Sequence, residues 1–220
     1  TKEVLEAAVN MWINDNATAL STYGEINTWD VSLITDMQDL FSYTTFNDDI
    51  GNWDVSNVTD MSRVFRGASD FNQDLSNWNV SNATDMNHIF ENAVNFNQDL
   101  SNWDVSNVIY MGWMFKNTNF NGDVSGWDVS SATLMQETFW NVSNFNQDLS
   151  GWNVSNVTNM TDMFRYTNFN QDISGWDVSN VTNMSSMFHD SWNFNQDISS
   201  WDVSNVTTMR MTFEDARKFN

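Results

Sequence analysis

The sequence predicts an α/β repeat solenoid of eight turns, in which each turn of 24–25 residues contributes one short strand plus one short helix. Three observations lead to this fold class. A Trp-Asp/Asn-Val-Ser motif recurs along the chain, large apolar residues recur at fixed distances from its tryptophan, and polar segments such as Asn-Gln-Asp separate the copies. The motif tryptophans are Trp29, Trp53, Trp78, Trp103, Trp127, Trp152, Trp176 and Trp201.

Each turn has the same predicted order of elements. In the seventh turn, Trp176 and Val178 flank a polar residue, which is the alternation of a strand. The apolar residues between Val181 and Phe188 then follow the spacing of a helical stripe, and Ser179 stands where a helix N-cap is expected. One such unit cannot bury its apolar side alone, so the turns are expected to stack and to share one continuous core.

The two ends of the chain differ from the repeats. Residues 1–20 contain an amphipathic stretch from Lys2 to Ile13, which predicts a helix that caps the first turn. Residues 21–220 hold the repeats, and the whole chain is expected to form a single domain. The sequence ends at Asn220 inside another loop, so we expect either that the natural protein continues or that a C-terminal cap is missing. An uncapped last turn would permit end-to-end self-association.

The composition excludes several classes of partner. The chain carries 8 basic and 29 acidic residues, for a net charge of −21. Such a surface repels nucleic-acid phosphates and anionic lipids. No apolar run reaches the roughly 18–20 residues of a membrane span, so we expect neither nucleic-acid binding nor membrane insertion. The absence of cysteine excludes disulfides, thiol nucleophiles and thiolate metal sites.

One copy of the repeat is long enough to reveal a family resemblance. Residues 194–207 read Phe-Asn-Gln-Asp-Ile-Ser-Ser-Trp-Asp-Val-Ser-Asn-Val-Thr, and this segment resembles the roughly 25-residue repeat of BspA-like bacterial surface proteins, which are leucine-rich-repeat relatives. The stretch from Ala8 to Ile13, with Tyr23 and Gly24, is similar to the N-terminal flank of that family. The resemblance implies a leucine-rich-repeat-like curve, an extracellular or cell-surface location and a role in adhesion. It implies no catalytic residue.

No catalytic constellation interrupts the repeat. The two histidines, His88 and His189, stand four repeats apart in different columns, which excludes a histidine-based triad or zinc site. Glycines are scarce and isolated, so no phosphate-binding loop is present. Nothing singles out a pair of carboxylates for glycoside hydrolysis. We therefore expect that the protein is not an enzyme.

Aspartates recur four residues before and one residue after the motif tryptophans. Stacked carboxylates repel one another, and Ca²⁺ would bridge them. The alternative is that these aspartates accept backbone N–H bonds in turns or face water. Ca²⁺ is thus the one candidate cofactor that the sequence offers. The candidate metal ligands are Asp99, Asp123, Asp148, Asp172, Asp104 and Asp128.

Departures from the repeat in turns four and five suggest a ligand-binding site. Tyr110 and Leu134 replace the polar residue that stands seven positions after most motif tryptophans. Trp113 and Trp140 occupy variable positions that are expected to face outward. We hypothesise that these four residues form one exposed patch on the helical side, since such patches mark binding surfaces for sugars and proteins. The alternative is that they pack under a loop.

These observations predict a cell-surface or secreted adhesion or recognition module. Its partner would be a protein or glycan on another cell or matrix, bound through an extended repeat face. The alternative is a structural spacer or stalk segment, rigidified by calcium or not, with no specific ligand. An uneven surface with one aromatic or charged area favours recognition, whereas a uniform surface along all eight turns favours the spacer.

Overall fold

The computed structural model describes residues 1–220 and begins with two helices. Helix α1 spans Lys2–Asn14, helix α2 spans Asn16–Tyr23, and a single 3-10 turn follows at Ile26–Thr28. Asp15 separates the two helices because its carboxylate accepts the backbone N–H of Thr18 at 3.2 Å and so caps α2. The rest of the chain forms stacked turns that contain no further helix.

Helix α1 lies on the first turn and contacts it through its apolar face. The ring of Trp12 meets that of Trp29 edge to face, with centroids 5.7 Å apart. The Trp12 indole N–H also donates to the Asp48 carboxylate at 2.7 Å. The buried side of the helix comprises Leu5, Ala8, Val9 and Trp12. Val9 is buried, whereas Val4 is 63% exposed.

The predicted α/β solenoid with a strand and a helix in every turn is wrong, and the leucine-rich-repeat-like architecture is wrong with it. Where a strand was predicted, the chain makes successive tight turns instead. The N–H of Trp176 donates to the carbonyl of Ile173 at 3.1 Å, and that of Val181 donates to Val178 at 2.9 Å. Such bonds close turns, so these N–H groups do not pair with a neighbouring strand. The alternation of Trp176 and Val178 instead reflects burial, since both lie in the core.

Where a helix was predicted, residues with positive φ interrupt the chain. Ser186 has φ 54° and Asp190 has φ 56°, whereas a helix requires φ near −63°. The N–H of Met187 bonds back only three residues, to Met184 at 3.2 Å. The N–H of Ser186 leaves its turn and donates to the carbonyl of Arg210 in the next turn at 2.8 Å. The apolar spacing that suggested a helix therefore reflects a run of three-residue turns.

Alternate N–H groups in this run join each turn to the next. In the first pair of turns, Met37 donates to the carbonyl of Asp60 at 2.9 Å and Asp39 donates to Ser62 at 3.1 Å. The residues of the turns with positive φ, which have left-handed backbone, stand ten and fourteen positions after each motif tryptophan. Gly67 is the single glycine among them. The parallel bridges are isolated pairs: Asp36–Asp60, Asp60–Asp85, Asp85–Tyr110, Tyr110–Leu134, Leu134–Asn159, Asn159–Asn183 and Asn183–Thr208.

One core runs through the stack, and it is built from aromatic columns. Its 61 buried residues form a single cluster. Phe41 and Phe65 hold the same position in consecutive turns and stack with centroids 5.5 Å apart and an interplanar angle of 2°. The indole N–H of Trp127 donates to the carbonyl of Leu100 in the preceding turn at 3.1 Å. The other motif tryptophans after Trp29 repeat this bond, which satisfies each buried indole.

Candidate functional site

The outer surface of the turns has two sides of different character. We call the positions from six before to six after each motif tryptophan the uniform side. From the second turn onward its outward residues are Asn, Gln, Asp, Gly, Ser or Thr, apart from Ile109 and, in the last turn, Val203. We call the positions seven, nine, ten, thirteen and fourteen after each motif tryptophan the variable side. It carries both histidines and five of the eight basic residues. The five are Arg63, Arg66, Lys116, Arg165 and Arg210.

The six candidate metal ligands lie on the uniform side, and each accepts a backbone N–H in a turn. Asp99 accepts the N–H of Ser101 at 2.9 Å, and Asp104 accepts that of Ser106 at 3.0 Å. Asp123, Asp148, Asp172 and Asp128 make the equivalent bond to the serine two residues on. No group of three or more Asp, Glu or His side chains is arranged to hold a metal ion. The arrangement of these carboxylates gives the calcium hypothesis no support and gives the aspartates a turn-forming role.

These hydrogen bonds also set the acidity of the aspartates. The pKa values of Asp99, Asp123, Asp148 and Asp172 lie below their usual 3.8, because the backbone N–H and then the hydroxyl of the following serine stabilise the charged carboxylate. The pKa of Asp128 is lowered in the same way, with the Ser130 hydroxyl as the larger cause. The turns therefore stabilise the charged form of these carboxylates.

Two of the four predicted ligand-binding residues lie side by side. Tyr110 and Leu134 form one of the isolated parallel bridges between turns four and five. Tyr110 is 39% exposed and Leu134 is half-buried. They stand in the row that holds Asp36, Asp60 and Asp85 in the first three turns. This row thus changes from acidic to apolar at the middle of the stack.

Trp113 and Trp140 are half-buried on the variable side and are connected through an ion pair. The Lys116 ammonium contacts the Glu137 carboxylate at 2.5 Å, and the same ammonium lies 4.6 Å from the centre of the Trp140 ring. Glu137 is the counterpart of Trp113 in the next turn, and the Trp113 N–H donates to the carbonyl of Gln136 at 2.9 Å. We call Trp113, Lys116, Glu137 and Trp140 the central cluster. No aromatic pair, ion pair or side-chain hydrogen bond joins the central cluster to Tyr110 or Leu134, so the four predicted residues form two groups on one side.

The aromatic surface extends beyond the four predicted residues. The His88 ring stacks on Trp113 with centroids 4.3 Å apart, and Tyr166 meets Trp140 edge to face at 5.6 Å. The Arg165 guanidinium lies 4.8 Å from the centre of the Tyr166 ring. Sequence reasoning missed these residues because it treated turns four and five alone. Aligning all eight turns on their tryptophans would have placed His88 in the column of Trp113.

Comparisons with known proteins identify a repeat family. One family model matches residues 9–121, 102–168 and 151–220, and it is described as "Mycoplasma protein of unknown function, DUF285". The overlapping matches cover nearly the whole chain, as tandem copies of one unit would. No curated protein matches the chain. In the structure itself, neither N-terminal helix has the length and apolar character that crossing a membrane requires.

Proposed function

The chain belongs to the family described as Mycoplasma protein of unknown function, DUF285, and we propose that it is a recognition module whose variable side binds a protein or glycan. One observation carries the proposal. From the second turn onward the stack keeps one side almost identical, while the other side holds exposed or half-buried aromatic and basic residues that the stacking does not require. Exposed aromatic rings beside charged groups are typical of binding surfaces.

The central cluster is the proposed centre of that surface. The Lys116–Glu137 ion pair and the cation–π contact hold Trp140 in place, while His88 stacks on Trp113. Rings that are already fixed lose little conformational entropy when a ligand covers them. Tryptophan, tyrosine and arginine also supply most of the strong contacts in known interfaces.

An extracellular or cell-surface location is part of the proposal. The resemblance of residues 194–207 to the repeat of BspA-like surface proteins favours it. A spacer would need only the uniform side. The rings and charges that cross turns three to six favour recognition over the spacer.

An array of glycans and extracellular-matrix proteins tests this function. The labelled full chain is compared with a Trp113→Ala/Trp140→Ala double variant, and each is applied with calcium and with EDTA. We expect the wild-type chain to bind at least one arrayed partner, and the double variant to lose that binding. Asn102→Ala is the matched control, because Asn102 is exposed on the uniform side of turn four. A blank array would favour the spacer, and equal binding by all three chains would contradict the role of the central cluster.

A further inference from the structure

We propose that a cleft at the edge of the variable side binds a single ring of a neutral pyranose sugar. The cleft lies across turns five, six and seven and has a volume of about 210 Å³. Its lining residues are Ser143, Tyr166, Thr167, Asn168, Asp190 and Trp192. This inference rests on the proposed function and goes further, because it assigns one subsite and one class of ligand.

Two exposed aromatic rings line the cleft. Trp192 is 52% exposed and Tyr166 is 37% exposed. Each ring is held by an arginine, since the Arg217 guanidinium lies 4.9 Å from the Trp192 ring centre and the Arg165 guanidinium lies 4.8 Å from that of Tyr166. No aromatic ring and no second cation stacks on Trp192 in the structure. Its electron-rich surface is therefore available to the polarised C–H groups of a sugar ring.

The polar groups of the cleft match the hydroxyls of a sugar. The Asn168 side-chain oxygen accepts the amide of Asn193 at 2.8 Å, and its own amide nitrogen has no protein partner. The Ser143 hydroxyl makes no hydrogen bond within the protein. One oxygen of the Asp190 carboxylate accepts the Trp192 indole N–H at 3.3 Å, the other lies 3.1 Å from His189 Nε2, and each oxygen keeps a further lone pair as an acceptor. A donor, an acceptor and a hydroxyl thus lie beside the aromatic rings, as recognition of a polyol requires.

Charge and size select the class of sugar. A net charge of −21 and the Asp190 carboxylate disfavour an acidic sugar. Arg165 and Arg217 beside the two rings disfavour a cationic ligand. The volume is below the roughly 300–1,000 Å³ of pockets that enclose drug-sized molecules. A single uncharged ring, within a longer glycan or at its end, satisfies all three conditions.

Saturation-transfer NMR on the full chain tests the subsite. The probes are methyl α-D-mannopyranoside, methyl β-D-galactopyranoside and methyl β-D-glucopyranoside, with N-acetylneuraminic acid as the acidic counterpart. We expect transfer to the ring protons of at least one neutral sugar and none to the acid. Trp192→Ala should weaken that binding by about fivefold or more, because it removes the most exposed ring.

Three further variants test whether the sugar binds in this cleft. Trp192→Phe keeps an aromatic surface and should retain most of the binding, whereas Ser143→Phe should abolish it by filling the cleft. Asn102→Ala lies outside the cleft, on the uniform side, and should change nothing. Absence of transfer to all three neutral sugars, or transfer that survives both Trp192→Ala and Ser143→Phe, would overturn the inference. Array binding that is lost only in the Trp113→Ala/Trp140→Ala variant would leave the proposed function standing without this subsite.

Discussion

At the residue scale, the aspartates beside the motif tryptophans act through their side-chain oxygens rather than their charge alone. The position one after the tryptophan holds asparagine in two turns, and these asparagines make the same bond. Asn79 accepts the N–H of Ser81 at 3.2 Å, and Asn153 accepts that of Ser155 at 3.2 Å. An amide oxygen therefore closes this turn as a carboxylate does.

Substitution of Asp128 separates the turn role from a metal role. Asp128→Asn keeps the acceptor for Ser130 and should change the free energy of unfolding by less than about 0.5 kcal/mol. Asp128→Ala removes the acceptor and should cost about 1 kcal/mol. Chemical denaturation of the three chains, with calcium and with EDTA, measures the difference. A loss in Asp128→Asn as large as in Asp128→Ala, present only with calcium, would restore the calcium hypothesis.

At the scale of the single turn, left-handed residues decide the backbone path. These residues point alternate N–H groups along the axis of the stack. The segment that was predicted to be a helix therefore donates hydrogen bonds to carbonyls of the next turn. A non-glycine residue in this region costs roughly 1–2 kcal/mol relative to right-handed backbone. The axial hydrogen bonds and the burial of the aromatic columns offset that cost.

Ser186 tests the cost of left-handed backbone directly. Its φ is 54°, and its side chain makes no hydrogen bond. Ser186→Gly should raise the free energy of unfolding by up to about 1 kcal/mol, because glycine adopts positive φ without strain. Ser186→Val should lower it by about 1–3 kcal/mol, because a β-branched residue is strained there. Urea denaturation measures both, and a more stable valine variant would contradict the assigned backbone.

The sequence predicted the core columns of each turn but not the path between them. Phe, Met and Trp at fixed spacing identify buried positions whatever the backbone does, whereas spacings of three residues fit a helix and a run of turns equally well. One column of the repeat does indicate the turns. Six of the eight residues that stand fourteen after a motif tryptophan are glycine, asparagine or aspartate, the types that tolerate positive φ. They are Gly67, Asn92, Asn117, Asn141, Asp190 and Asp215.

The candidate site was only partly predictable for a related reason. Trp113 and Trp140 are large aromatic residues at positions that vary from turn to turn, so the sequence identified them. The Lys116–Glu137 pair did not stand out, because it joins different positions in different turns, 21 residues apart. Such a contact depends on the register between neighbouring turns. The structure shows this register, whereas a single column of the aligned repeats does not.

At the scale of the whole molecule, the aspartates of the uniform side make stability depend on acid. The folded-state pKa values of Asp99, Asp123, Asp128, Asp148 and Asp172 lie below the usual 3.8. The contribution of these five residues is therefore complete above that value and is lost as the pH falls through the folded pKa. Burial raises the pKa values of Asp85 and Asp162, so the protonation of these two residues at low pH favours the folded state. They are fewer than the aspartates with lowered pKa values.

The melting temperature should therefore stay level between about pH 7 and pH 5 and should fall below about pH 4. The measurement is made in about 0.5 M NaCl, because salt screens the repulsion within a chain of net charge −21. Calorimetry at intervals of half a pH unit is sufficient. A melting temperature that rises as the pH falls from 4 to 3 would show that the aspartates are not stabilised as charged groups.

The two-sided surface gives the whole molecule its proposed role, with a uniform side that builds the stack and a variable side that contacts a partner. The most direct test is the dissociation constant of the strongest array partner for three chains. We expect the Trp113→Ala/Trp140→Ala variant to bind at least about tenfold more weakly than wild type, and Asn102→Ala to bind as wild type does. Equal affinities for all three chains would contradict the assignment of recognition to the variable side.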